Sequence, residues 1–405
     1  MLWLINTMNK FIPVVIVFCL FMLIDQALHA QKIIEKPIEW RLAAKLQNTD
    51  GTTSTGFAGA INGVCGNVLI VAGGANFPGK LPWEGGTKHY SDEIHILQKQ
   101  GDKFEWNKDV KLKLPEPVAY CGNISTPYGI LYAGGENDMG LSNKAYLLNW
   151  NPGHDQLEIK ELPNLPLKIT NVALTNAGSI VYAAGGDEQN NSTSFFYCID
   201  LKSYNPQWRP LPRLPLALAN TTAIAQKADD GTHIFIIGGR TKTPSGISGL
   251  HHTVFEYNTS KCTWRECAGI SDGKNTMNLS AGAGISVDKH FILITGGDNG
   301  VVFHKIETYL AQISQTSTAA EKEKLTIEKN KLNTDHKGFY RGILLYDTRH
   351  NKWTKIGELP FPAHVTTTAT KWGKDIVLSN GEIKPGVRTP DIMIGKINIT
   401  EKNAE

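Results

Sequence analysis

The sequence predicts an all-β fold, a six-bladed β-propeller, and three observations carry that prediction. Apolar strands ending in Gly-Gly recur at 69–74, 130–135, 180–186, 234–239 and 291–297. A degenerate sixth lies at 376–381, where Asn380-Gly381 replaces the pair. After most of them comes a strand with an aromatic residue and then a tryptophan: Trp106, Trp150, Trp208, Trp264 and Trp353. The period is about fifty residues with four short strands per unit, the spacing of a propeller blade.

Taken in order, the chain opens on an apolar run at 11–24, preceded by Asn9-Lys10 and followed by Ala27-Leu28-His29-Ala30. The run is about 14 residues, short of the ~20 that a spanning helix needs. It predicts a signal peptide over 1–30, cut before Gln31. Residues 31–405 are then expected to form one propeller domain, with no membrane partner after cleavage. Five cysteines remain, Cys65, Cys121, Cys198, Cys262 and Cys267. Their odd number and scattered placement predict buried thiols, not a disulfide framework. The formal net charge is +3, and the lone Lys/Glu-rich stretch lies near 321–331. Nothing there supplies the basic surface that nucleic acid would require.

The Gly-Gly pairs and tryptophans give the blades the look of the kelch type, with the glycines expected where inner strands approach closely near the axis. The sixth blade is split. After Glu382 the chain supplies one more strand, 392–399, and its missing outer strand with a Trp is found at 38–42. That N-terminal strand is expected to close the ring, which removes an exposed sheet edge. Two connections break the rhythm. Residues 75–90 form a long loop with Pro78, Pro82 and Trp83, and 300–339 is an insertion in the fifth blade. Ile306, Leu310 and Ile313 have helical spacing, and a charged helical stretch continues over 319–332. Long loops of this kind are usually functional or disordered.

In a four-stranded antiparallel blade, residues directly after Gly-Gly and residues opening the innermost strand share one mouth of the channel. That mouth is expected to gather Asn76, Glu136, Asp187, Arg240, Asp298, Glu382 and Arg388, together with Asn171, Asn220 and His364. A polar, walled concavity is what a small-molecule site requires. Single Asp, Asn or Glu residues after glycine often cap turns. The stretch Asn380-Gly381-Glu382-Ile383-Lys384-Pro385-Gly386-Val387-Arg388-Thr389 stands apart, because it sets a carboxylate, an ammonium and a guanidinium on one segment. Its Gly and Pro residues predict a rigid loop.

That stretch resembles the active-loop motif of bacterial N-acetylneuraminate epimerases, the sialic acid mutarotases. Residues 72–79, Ala-Gly-Gly-Ala-Asn-Phe-Pro-Gly, with 90–95 after them, resemble a second signature segment of that family. The order of the two matches the cyclically permuted mutarotase branch, and the likeness covers the whole propeller. One departure is the loop around Trp83, which is shorter and poorer in Lys and bears on sugar specificity. The resemblance implies an isomerase of the bacterial periplasm whose catalytic pair is Glu382 and Arg388.

The chemistry fits those residues. A sialic acid carries its carboxylate on the anomeric carbon, and an Arg can hold a carboxylate with two parallel hydrogen bonds. Mutarotation needs a base for the anomeric hydroxyl and an acid for the ring oxygen. Flanked by Arg388 and Lys384, Glu382 is assigned the base role. Lys88, Tyr90, His364 and a bound water are the candidate acids. Lys88, Tyr90 and Lys384 join Asn76, Glu136, Asp187, Arg240, Asp298 and His364 as expected substrate contacts. No cofactor is called for, and no His/Cys cluster of metal-ligand spacing appears. A non-catalytic propeller binding a glycan or protein is the alternative. The Ser-x-Asp-x-Gly-x-Thr-Trp boxes of a sialidase are absent, and no paired Tyr/His set of a copper oxidase is seen.

Overall fold

The structure, a computed structural model, describes residues 37–399. The expected signal peptide lies outside the described residues. Two units are distinguished, and the larger is Trp40–Lys396. Of the smaller, residues 37–39 and 397–399 are described. There the Asn398 backbone N–H donates to Pro37 O at 3.0 Å.

Trp40–Lys396 contains six four-stranded sheets that form the six blades of a propeller. From the axis outward, blade one is Ile61–Cys65, Val68–Ala72, Ile94–Gln100 and Lys103–Trp106. The second strands, Val68–Ala72, Gly129–Ala133 and Phe291–Thr295, are buried at every residue, because each blade is covered on both faces by its neighbours. Ile70 and Ile130 meet in one apolar cluster between blades one and two, while Leu69 and Val377 meet in another between blades one and six. In the sixth blade the order is Ile38–Lys45, Asp391–Ile397, Asp375–Ser379 and Thr370–Trp372. The N-terminal strand is therefore the outermost, as the orphan strands predicted. Beside it the Leu46 N–H donates to Pro390 O at 2.8 Å.

The glycine pairs do something other than line the axis. The second glycine of four of the pairs donates its N–H to the neighbouring blade: Gly74 to Val118 O, Gly135 to Ile169 O, Gly186 to Leu218 O and Gly239 to Leu279 O, each at 2.8 Å. At Gly185 φ is +63°, and an added Cβ would lie 2.1 Å from Leu218 O. The pairs thus clamp one blade to the next, which corrects the expectation of crowding near the axis. Asn380 fills the first-glycine place with φ +57°, a conformation that Asn tolerates. The tryptophans tie the outer edges in a parallel way. Indole Nε1 of Trp106, Trp208, Trp264 and Trp353 donates to Lys45, Pro163, Pro212 and Ala268 carbonyls, at 2.8–3.0 Å. Trp150 does not share this role, since it lies buried on the third strand of its blade.

Six residues open the innermost strands: Gly59, Tyr120, Asn171, Asn220, Ala281 and Thr366. All have φ between +51° and +63°. Tyr120 N–H donates to Gly59 O, Asn171 to Tyr120 O, and Ala281 to Asn220 O, each at 2.8 Å. Below this throat runs a channel of about 290 Å³, lined by polar residues such as Asn123, Thr175 and Thr370 and by apolar ones such as Ile124, Leu174 and Ile285.

Candidate active site at the mouth of the channel

In every blade the residue after the glycine pair forms an antiparallel bridge with a residue just ahead of the innermost strand. The pairs are Ala58–Ala75, Ala119–Glu136, Thr170–Asp187, Ala219–Arg240, Ser280–Asp298 and Val365–Glu382. Each partner directly precedes a throat residue, so these six equivalent positions stand beside one end of the channel; in blade one the position is Ala75, not the expected Asn76. The segment after each position differs from blade to blade, and that difference builds the site.

From Glu382 the chain forms a two-stranded hairpin, Glu382–Lys384 with Val387–Arg388, where a rigid loop without strands was expected. Pro385-Gly386 makes the turn, with Gly386 at φ +75°. The pairing sets Glu382 opposite Arg388. Arg388 Nη1 donates to Glu382 Oε1 at 2.7 Å, and Gly386 N–H reaches the same oxygen at 2.6 Å. Oε2 takes part in neither bond. Their side chains are 5% and 18% exposed for Arg388 and Glu382 respectively. Arg388 is further fixed by Ala75 O at 3.4 Å, by the Tyr120 hydroxyl at 3.4 Å, and by the Phe77 ring, 5.0 Å from its guanidinium carbon.

The two long insertions flank this hairpin. A Cβ at Gly386 would lie 2.9 Å from both Pro82 Cδ and Trp83 Cζ3, so the Trp83 segment packs closely against the turn. The insertion of blade five is a helical pair, Val301–Gln315 and Ala319–Thr334. Ser248 anchors the first helix, its N–H and Oγ donating to the Glu307 carboxylate at 2.7 and 2.9 Å. From the second helix, Asn330 Nδ2 reaches Trp83 O at 3.5 Å. Beyond that helix lies buried His336, whose pKa is lowered by burial and by the nearby Lys384 ammonium, against an opposing pull from Glu382.

A second cluster adjoins the first. Tyr90 donates its hydroxyl proton to Glu136 Oε1 at 2.8 Å, and Lys88 Nζ lies 3.4 Å from the same oxygen. Burial and this carboxylate push the Tyr90 phenol above its usual range. Lys88 Nζ stands 5.3 Å from the ring centres of both Tyr90 and Tyr120. Tyr120 therefore joins the clusters, with Lys88 over its ring and Arg388 at its hydroxyl. Burial pushes its pKa up to about 12, with Arg388 pulling the other way.

A family model described as N-acetylneuraminate epimerase matches residues 23–158 and 162–404. The chain belongs to the N-acetylneuraminate epimerase family. It is 30% identical over 237 residues to the N-acetylneuraminate epimerase of Haemophilus influenzae (strain PittEE), covering 58% of this chain and 59% of that one. With the protein of the same name from Salmonella typhimurium (strain LT2) the identity is 28% over 232 residues, 56% of each chain. The matched stretch thus spans less than two thirds of the length of these curated relatives.

Within this epimerase-family chain, several expected site residues have other work. Asp187 is 2% exposed and saturated by Arg240 Nη2 at 2.6 Å, Ser192 Oγ at 2.7 Å and Asn171 Nδ2 at 3.3 Å. That network joins blades three and four. Asp298 accepts the Gly300 N–H at 2.8 Å at the entry to the first helix, and burial raises its carboxyl pKa. Asn76 is buried one residue past the ring position, with Nδ2 on Gly56 O at 3.2 Å. Lys384 stays half-buried on the hairpin.

His364 does not open the innermost strand of blade six. Thr366 does, and His364 is 3% exposed behind it. Burial drives its pKa down to about 4, and Asp391 opposes that shift. The unfolded chain therefore binds a proton below pH ~6.5 that the folded protein resists until about pH 4. Stability should fall across that window as pH drops, by about 3 kcal/mol at ~1.36 kcal/mol per pKa unit. Denaturant midpoints measured from pH 7 to 4 should decline less steeply for His364→Gln than for wild type. Equal slopes would remove His364 as the cause.

Sequence reasoning missed Tyr120, Phe77 and His336. Tyr120 had an available signal, because it stands at the same strand-opening position as Asn171 and Asn220. Phe77 and His336 carried none, since their places depend on how the two insertions fold back.

Proposed function

We propose that the protein interconverts the α and β anomers of N-acetylneuraminate by acid–base ring opening and closure. The observation that carries this reading is the Glu382 carboxylate at the channel mouth, gripped on one oxygen by Arg388 and Gly386. Its other oxygen is the base for the anomeric hydroxyl. Arg388 fixes the direction in which that base points, which is how a preorganised group contributes to rate. Arg388 is nearly buried, whereas the Lys88 side chain is 37% exposed. Lys88 is thus the cation more open to a substrate carboxylate, with the Tyr120 ring between it and Arg388. The helical pair and the Trp83 segment wall the mouth and slow exchange with water. The apolar N-terminal run supports export, with the reaction taking place in the periplasm.

The test is proton NMR of freshly dissolved α-N-acetylneuraminate, with and without the protein. Conversion to the β anomer should be accelerated. Neutral aldoses, which have no carboxylate for a cation to hold, should be accelerated far less. A sugar acid that converts at the uncatalysed rate in the presence of the protein would overturn the proposal.

A further inference from the structure

We propose that Tyr120 is the acid that protonates the ring oxygen during ring opening, an assignment that rests on the mutarotase reading above. The three side chains named as candidate acids are each engaged elsewhere. Tyr90 has its proton committed to Glu136 at 2.8 Å. His364 is buried behind the strand opening and cannot meet a substrate. Lys88 is drawn to Glu136 and serves better as a carboxylate partner. Tyr120 differs from all three. Its hydroxyl accepts from Arg388 Nη2, which leaves its own proton free to donate. It also lines the channel, at the throat position of blade two.

The geometry relates this hydroxyl to the base through one rigid group. Arg388 Nη1 holds Glu382 and Nη2 holds Tyr120, so a single planar guanidinium sets the distance between carboxylate and phenol. The two oxygens that must exchange protons in a cyclic sugar acid share one anomeric carbon. Partners within hydrogen-bond reach of both must sit close together, and the shared guanidinium holds Glu382 and Tyr120 near each other. The phenol stays protonated at neutral pH, as a donor must, and an alkoxide leaving the anomeric carbon is the stronger base.

The proton balance closes. Glu382 takes the proton of the anomeric hydroxyl, whose oxygen becomes the carbonyl oxygen. The bond from the anomeric carbon to the ring oxygen breaks, and that oxygen receives the Tyr120 proton. The open-chain ketone then turns its other face. Tyrosinate recovers its proton as the hydroxyl attacks, and protonated Glu382 returns its own to the carbonyl oxygen. Arg388 at the phenol oxygen and Lys88 over the ring favour the transient tyrosinate.

The experiment is Tyr120→Phe, which keeps the ring and removes the proton. We expect kcat for anomer exchange of N-acetylneuraminate to drop on the order of 10²-fold or more, with KM little changed. Binding of the methyl α-glycoside, which cannot open, should match wild type. Replacing Tyr120 with a ring-fluorinated tyrosine keeps shape and folding while making the phenol more acidic, and the rate should respond. Wild-type rate in Tyr120→Phe overturns this assignment and leaves the mutarotase reading intact. Equal loss of rate and of glycoside binding also overturns it, because the hydroxyl would then serve binding. No acceleration by the wild type itself would overturn the mutarotase reading and the Tyr120 assignment with it, an outcome distinct from a wild-type rate in Tyr120→Phe.

Discussion

Glu382→Gln is expected to keep the propeller folded and to slow anomer exchange by ~10²–10⁴-fold, the usual contribution of one positioned proton-transfer group. Gln retains the shape and can still accept from Arg388 Nη1 and the Gly386 N–H through its amide oxygen. What it loses is basicity. Because that loss acts in the transition state, kcat and kcat/KM should fall together. Arg388→Lys should behave differently. A lysine is a point charge and cannot serve Glu382, Tyr120 and Ala75 at once from a planar fork. Removing that fork frees the carboxylate and the phenol to move apart. The rate should fall, and the folded state should weaken as well, since Arg388 is 5% exposed and bonded on three sides. Comparing kcat with the thermal midpoint of each variant separates the two effects: Glu382→Gln should move the first alone, Arg388→Lys both. A Glu382→Gln protein with a strongly lowered midpoint would mean that the carboxylate is structural.

Gly185→Ala should be among the most destabilising single methyl additions in the chain. At φ +63° an alanine carries roughly 1–2 kcal/mol of backbone strain. The larger cost is steric. The new Cβ would lie 2.1 Å from Leu218 O, so blades three and four must separate locally. That separation breaks the 2.8 Å bond from Gly186 N–H to the same carbonyl. A total of about 3 kcal/mol or more is expected, in the range where a named steric mechanism is required. Gly178→Ala is the control, with a similar φ of +63° and no atom within 4 Å of the added Cβ. It should show the strain alone. If the two variants unfold at the same denaturant concentration, the clamp between blades is not what Gly185 provides.

The glycine pairs made the fold legible in the sequence, although for a reason the sequence did not disclose. Their recurrence was visible. Their partners, carbonyls such as Leu218 O in the next blade, lie roughly thirty to forty-five residues away and become neighbours only in the closed ring. The orphan strands at either end were equally readable, because a blade with three strands implies a fourth. The first helix followed from apolar spacing at Ile306, Leu310 and Ile313, and the second from the charged stretch over 319–332. The site was legible only where charge and punctuation coincide, at 380–389. Even there the hairpin was missed, because Gly and Pro signal a turn without fixing the register that sets Glu382 opposite Arg388. Asp187 and Arg240 looked like two ligand contacts and are partners of each other. Tyr120 has no charge and no motif around it, so its one signal, the strand-opening position it shares with Asn171 and Asn220, was passed over; the backbone ring at the throat gives that position meaning.

The proposed catalysis depends on a single carboxylate at the channel mouth, Glu382. Its most direct test is the NMR time course of α-to-β conversion of N-acetylneuraminate, run with equal amounts of wild type and Glu382→Gln. Rapid conversion by the wild type and near-uncatalysed conversion by the folded variant are the predicted result. Conversion at the same rate by both proteins would contradict it.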